Sequence, residues 1–242
     1  MKTHLILATA LTATLAFGAA NAQTIRMGTE GAYPPYNFIN DAGQVDGYEI
    51  ELGNKLCELA GLTCEWVKNE WDSIIPNLVS GNYDVIMAGM SITDERDEVI
   101  DFTQNYIPPA GSAYVALSDG VDVTTGVIAA QTTTIQAGYV AESGATLLEF
   151  ATPDETVAAV RNGEADAVFA DRDYLVPIVA ESGGALMFVA DEVQLGGGVG
   201  MGLRESDAEL RGKFDAAIAT LKADGTLNEM IRKWFGDEAA IY

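Results

Sequence analysis

Apolar and polar positions change their spacing repeatedly along the chain, and each change marks the border of an element. Short apolar runs of strand type, TIRMGT (24–29), CEWV (64–67) and YDVIMAG (83–89), alternate with stretches of helical spacing, YEIELGNKLCELAG (48–61) and WDSIIPNLVSG (71–81). The second half repeats the alternation with TTGVIAAQ, QAGYVAESG, TLLEF, PDETVAAVRNG and ADAVFAD. Strands separated by helices predict an α/β fold with mainly parallel sheets.

One unit recurs closely. In LVSGNYDVIMAG a helix closes at Ser80-Gly81 and a strand opens at Asp84; in VRNGEADAVFAD the same happens at Asn162-Gly163 and Asp166, with glycine and aspartate shifted by one common offset. The glycine ends a helix at positive φ, and the run after the aspartate reads as a buried parallel strand. G-x-x-D is short enough to recur by chance, but the matching helix and strand contexts favour two duplicated lobes. Ligands of open α/β sheets sit beyond the carboxyl ends of the strands, which here are Ala88 to Ser91 and Ala170-Asp171. Lobes that face one another would set Ser91 and Arg96 opposite Asp171, a carboxylate binder facing an ammonium binder.

The chain is expected to cross between lobes near PPAGSAYVAL and to return near QLGGGVGMGL, where Gly196, Gly197, Gly198, Gly200 and Gly202 loosen the path into a hinge. The tail has helical spacing at Leu210, Phe214, Ile218 and Leu221, a turn at Asp224-Gly225 and a second helix, and is assigned to the first lobe. The expected division is 1–22 as an export signal, 23–112 with 203–242 as lobe 1, and 113–202 as lobe 2.

The export signal changes the chemistry that follows. Lys2, an apolar run from Leu5 to Phe17 and Ala20-Asn21-Ala22 read as a cleavable secretory signal, the run being shorter than the ~20 residues a membrane span needs. No cysteine follows the cleavage site, so no lipid anchor is expected. His4, the one histidine, leaves with the signal, and a chain without imidazole has no His-based triad, His-ligated metal or histidine pH switch. No catalytic residue, metal or cofactor is assigned. A formal charge of −23, more negative still after cleavage, argues against nucleic acid and anionic lipid as partners. Cys57 and Cys64 fit neither a CxxC redox motif nor a zinc site. In an oxidising compartment they are expected to form a local disulfide; two buried free thiols are the alternative for a reducing one.

Arg96 has the wrong sign for its position. In SITDER, Thr93 is a good N-cap and Asp94 and Glu95 suit a first helical turn, whereas a cation there opposes the helix dipole by roughly 0.3–1 kcal/mol. A second use, holding an anion, would explain it; a solvated ion pair with a neighbouring acid is the plainer alternative.

Taken together, GTEGAYPPYNF, GYEIELGNKLCELAGLTCEW, WDSIIPNLVSGNYDVIMAGMSITDER and GVGMGLR resemble the polar amino-acid solute-binding proteins of ABC importers, most nearly the lysine/arginine/ornithine and histidine receptors. The resemblance spans the mature chain. It implies a type II periplasmic-binding-protein fold, two lobes joined by two hinge crossings and closing on a ligand. It also implies a soluble, monomeric periplasmic receptor that is not an enzyme and that delivers its ligand to an inner-membrane ABC permease. By resemblance Arg96 and the Ser91 backbone N–H bind the ligand α-carboxylate, the Ser91 hydroxyl and the Gly89 carbonyl accept from the α-ammonium, and Asp171 supplies the countercharge. Asp171 could instead cap the helix that follows it.

QTTTIQAGYV resembles the family's QxGTTQ turn, with Thr133 where glycine is usual and Ile135 where a second threonine is usual. Thr134, the Ile135 backbone and Gln136 are carried over as ligand contacts, and plain helix capping by Thr133 or Thr134 is the alternative. Tyr33 and Trp71 are expected to flank the ligand side chain, with Glu30 at its far end and the Ala88 carbonyl beside it. An acid and two aromatic faces suit a cation, so a basic L-amino acid is expected, arginine first, then lysine, ornithine or histidine. A receptor for glutamine or another neutral polar amino acid is the main alternative, and a cyclohexadienyl dehydratase-like enzyme on the same fold is a further one.

Overall fold

The computed structural model describes residues 24–242; the export signal read at the N-terminus lies outside them. The first sheet begins with β1 (Thr24–Thr29). Three short strands, β2 (Ala32–Tyr33), β3 (Asn37–Ile39) and β4 (Val45–Asp46), then form a small antiparallel sheet. Helix α1 (Tyr48–Ala60) buries Tyr48, Leu52, Leu56 and Cys57, and Gly61 ends it in the left-handed conformation. The next strand, β5 (Thr63–Lys68), pairs parallel to β1, and a Cys57–Cys64 disulfide ties the end of α1 to it. A 3-10 turn at Trp71–Ser73 and α2 (Ile74–Val79) lead to β6 (Val85–Ile86), which lies along the other edge of β1. A single-turn helix, α3 (Asp94–Asp97), is capped by Thr93, whose hydroxyl accepts the Arg96 N–H at 3.2 Å, and is followed by β7 (Asp101–Phe102).

The second sheet is formed by β8 (Gly111–Ala116), β9 (Val127–Gln131), β10 (Thr146–Phe150), β11 (Ala167–Asp171) and β12 (Met187–Gln194). Helices α4 (Ile135–Ala141), α5 (Pro153–Asn162) and α6 (Arg172–Glu181) connect them. The chain then returns, and β13 (Gly202–Leu203) inserts between β6 and β7. Two helices close the chain, α7 (Ala208–Ala223) and α8 (Thr226–Phe235). Phe214, Ile218 and Leu221 of α7 share one apolar core with Leu52 and Leu56 of α1.

The two sheets run in the orders β5-β1-β6-β13-β7 and β10-β9-β11-β8-β12. In each, the first three strands are parallel and the fourth is antiparallel to its neighbours, and that fourth strand is the one entered by a crossing. The recurring aspartates have one job in both. Asp84 accepts the Arg26 backbone N–H at 3.0 Å and Asp166 accepts that of Val127 at 2.7 Å. Each returns its own N–H to the same residue's carbonyl, at 2.9 and 2.8 Å.

Where the crossings run side by side, Val199 bridges both Ile107 and Ser91. Gly198 has φ 89°, and a Cβ there would lie 2.5 Å from the Ile107 carbonyl oxygen, so the return strand needs glycine at this point. Several strands depart from the sequence reading: β2, β3, β4 and β7 were not read, and β13 lies within the segment read as the return crossing. The segment read as the outward crossing contains β8, a central strand, and β12 was not foreseen: its register shifts between Val189 and Val193 and Ala190 has φ 58°, which breaks the apolar alternation. Among the described residues no helix is long and apolar enough to cross a membrane.

Candidate functional site

A cavity of about 320 Å³, its mouth included, is lined from both sheets: by Glu30, Tyr33, Trp71, Ala88, Gly89, Ser91 and Arg96 on one side, and by Gln131, Thr134, Ile135, Gln136 and Asp171 on the other. Strand ends position most of them. Glu30 follows β1, Ala88 to Ser91 follow β6, Gln131 ends β9 and Asp171 ends β11, all at the carboxyl edge of parallel strands. Every residue singled out from the sequence as a ligand contact is on this wall, and Gln131 joins them.

Arg96 is half-buried, with its guanidinium carbon 5.4 Å from the Trp71 ring centroid. It donates to the Ser91 carbonyl at 2.8 Å and, across the cleft, to the Thr133 carbonyl at 3.4 Å. Among the described residues it joins no salt bridge, so the neighbouring acids of its own turn do not neutralise it. Burial pulls its pKa down to about 10, against the raising fields of Asp171 and Glu95.

Asp171 forms no side-chain cap on α6. Its carboxylate instead accepts the Tyr33 hydroxyl from the opposite lobe at 2.8 Å and the Gln136 amide at 2.8 Å, and the same amide nitrogen reaches the Ser112 hydroxyl at 2.9 Å. Burial raises the Asp171 pKa to about 6, more than these donors and Arg96 lower it. Glu30, 3% exposed, is raised to about 7 by burial and takes one hydrogen bond, from Gln131 at 2.7 Å. Tyr33 stacks on Tyr174 of α6 with ring centroids 4.4 Å apart, so aromatic packing also crosses the cleft.

In the turn before α4, Thr134 is the N-cap, its hydroxyl accepting the Ala137 N–H at 3.1 Å. Thr133 adopts φ 56°, the conformation that favours the glycine it replaces in the resemblance; a β-branched residue tolerates it poorly. Gln131 opens the stretch that resembles the QxGTTQ turn but was not singled out as a contact, because only Thr134, Ile135 and Gln136 at the helix start were carried over. Its placement was the available signal, since it is the last residue of β9 at the edge where Asp171 ends β11.

The chemistry of the wall is one guanidinium and two carboxylates, with hydroxyls, amides and two aromatic faces between them. The fold and this cavity define a two-lobed solute-binding protein of periplasmic type II architecture. The model for bacterial extracellular solute-binding proteins, family 3, matches residues 25–237, and the chain belongs to that family. It is 32% identical over 228 residues to an L-arginine-binding protein of Pseudomonas aeruginosa, covering 87% of each chain. It is 30% identical to an octopine-binding periplasmic protein of Rhizobium meliloti, covering 97% of this chain and 98% of that one. A crystal structure of a periplasmic His/Glu/Gln/Arg/opine family-binding protein from Silicibacter pomeroyi, in complex with lysine, is 81% identical with a TM-score of 0.89, covering 90% of this chain and 100% of the other.

Proposed function

We propose that this protein is a monomeric periplasmic receptor that binds a basic L-amino acid between its closing lobes, 23–112 with 203–242 and 113–202, and delivers it to an ABC permease. The observation that carries this reading is the charge of the cavity. Arg96 against Glu30 and Asp171 leaves one negative charge in excess, and a basic amino acid, with one carboxylate and two cationic groups, brings the opposite excess. A neutral amino acid would leave Glu30 with Gln131 as its partner and no cation to balance its charge, and an acidic one would double the imbalance.

In this pose Arg96 and the N–H groups of Ser91 and Ile135 hold the α-carboxylate, with Thr134 and Gln136 beside them. Asp171, the Gly89 carbonyl and the Ser91 hydroxyl hold the α-ammonium. Tyr33 and Trp71 flank the side chain, the Ala88 carbonyl lies along it and Glu30 meets its cationic end, with Gln131 yielding its hydrogen bond. The relative named for arginine and the neighbour solved with lysine support a cationic ligand; arginine gains most from flat aromatic walls.

Titration calorimetry at pH 7.5 with arginine, lysine, ornithine, histidine, citrulline and glutamine tests the reading. Arginine and lysine should bind at least about tenfold more tightly than citrulline and glutamine, the worth of one charge-assisted hydrogen bond. Equal or tighter binding of glutamine would replace the cation pocket with a neutral one.

A further inference from the structure

Behind Gly89 lies a carboxylate that the cavity does not expose. Glu49, in the first turn of α1, has no accessible surface, yet its side chain accepts three hydrogen bonds. Oε1 takes the Gly89 backbone N–H at 2.7 Å together with the Tyr106 hydroxyl, and Oε2 takes the Asn37 amide at 2.7 Å. Among the described residues Glu49 joins no salt bridge. Burial without a counter-ion is unfavourable for a carboxylate, and α1 could fill this position with an apolar side chain if packing were the only requirement. Burial pushes the Glu49 carboxyl up by more than its three donors pull it back, and the geometry of those donors is what favours the ionised form. The Gly89 amide can only donate, and Asn37 is fixed as a donor toward Glu49 because its own oxygen accepts the Gly31 N–H at 2.7 Å. The surroundings are therefore built for the ionised form.

Those donors come from separate parts of the site. Asn37 holds the N–H of Gly31, which follows Glu30 at the side-chain end of the proposed ligand. Gly89, with φ 63° and the Tyr33 ring 3.2 Å from where its Cβ would stand, belongs to the loop at the α-amino end. Tyr106 starts the outward crossing, where its N–H donates to the Val199 carbonyl at 2.7 Å and its carbonyl accepts the Tyr48 hydroxyl at 2.9 Å. One carboxylate thus pins the backbone on both flanks of the cavity and at the hinge.

We infer that Glu49 is a positioning residue for the ligand α-ammonium: by accepting the Gly89 N–H it anchors the left-handed Gly89 turn from which the Gly89 carbonyl meets the ammonium, and it places a negative charge behind that turn. This rests on the pose given above. Glu49 itself touches no ligand; it acts through Gly89, and through Asn37 it steadies the Glu30 loop.

The test compares arginine with 5-guanidinopentanoate, which lacks only the α-ammonium, in wild type and Glu49→Gln. The substituted amide keeps an oxygen for Gly89 and Tyr106 but turns an N–H against the Asn37 amide. Glu49→Gln should weaken arginine about tenfold and the analogue by less than about twofold, as expected when a bond to a charged group is lost. The double variant Glu49→Gln/Asn37→Asp should restore most of the preference, because the carboxylate introduced at position 37 accepts both the Gly31 N–H and the amide introduced at position 49. If Glu49→Gln does not fold, Tyr106→Phe, which removes one donor and keeps the charge, carries the same comparison with a smaller selective loss. Equal weakening of both ligands, or none, in a folded variant overturns the inference. A wild type that does not prefer arginine over the analogue instead refutes the pose, and the positioning role falls with it.

Discussion

In the proposed pose ligand binding turns on Arg96, a guanidinium on the helix turn after a strand that joins no salt bridge among the described residues. Arg96→Ala should reduce arginine affinity by roughly 3–5 kcal/mol, the loss expected when a desolvated charge pair is broken from one side. Circular dichroism should stay unchanged, because α3 is a single turn that packs no core residue. Near-native affinity in the calorimeter would make Arg96 a surface residue. At the other end of the cavity, Glu30→Gln should weaken arginine by tenfold to a hundredfold, about 1.5–3 kcal/mol, and barely change citrulline; equal effects on both would mean that Glu30 does not meet a cation. Much of this was legible in the sequence, because Arg96 offends the helix dipole and Asp171 and Ser91 sit at predicted strand ends. Gln131 and Glu49 were not. Gln131 lies on an apolar strand ahead of the helix start from which contacts were carried over, and Glu49 reads as an ordinary acid in a helix first turn, its burial being set by the tertiary packing of Asn37, Gly89 and Tyr106 around it.

The repeated element gave the clearest structural signal. Gly81 and Gly163 have φ of 80° and 75°, and the aspartates three residues later clamp the first strand of each sheet through the same backbone group. Asp84 also pairs with Arg26 and Arg204, at 2.9 and 3.1 Å, whereas Asp166 has only its backbone role to lose, so Asp166 isolates it. Asp166→Ala should destabilise the protein by about 0.5–1.5 kcal/mol, the net worth of one hydrogen bond at an exposed site where water can replace the acceptor. A denaturant midpoint within error of wild type would show that the clamp contributes nothing. The disulfide was legible from the export signal, since that sets the redox compartment rather than the geometry. The strands β8 and β12 were not, because their pairing is long-range and antiparallel: β12 breaks its own alternation at Ala190, and β8 lies where the glycine-rich crossings drew attention to the hinge.

Across the whole molecule the cavity acids set a pH dependence in a chain whose one histidine, His4, lies in the segment read as an export signal. Glu30 rises from 4.5 to about 7 and Asp171 from 3.8 to about 6, so the ligand-free fold holds protons that the unfolded chain has released. Their contribution to stability is full below the unfolded values and is lost as pH rises through about 6 and then about 7. The unliganded protein should therefore melt at higher temperature at pH 5.5 than at pH 8. The margin should be a few kcal/mol, at about 1.4 kcal/mol for each tenfold gain in proton affinity on folding, and relief of the acidic self-repulsion acts in the same direction. A melting temperature that falls from pH 8 to pH 5.5 would show that these acids are not desolvated. A bound cation reverses the preference at Glu30, because it pairs with the carboxylate and not with the acid. The measurement that bears most directly on the basic-amino-acid reading is the ratio of arginine to citrulline affinity, titrated from pH 8 to pH 5.5. Asp171 and Arg96 meet groups common to both ligands and cancel in the ratio, which leaves Glu30. The ratio should be high and flat above about pH 7 and fall by up to about tenfold per pH unit below it, as arginine alone must first displace a proton. A ratio near one at every pH, or one that does not change between pH 8 and pH 5.5, would contradict a cation held by Glu30.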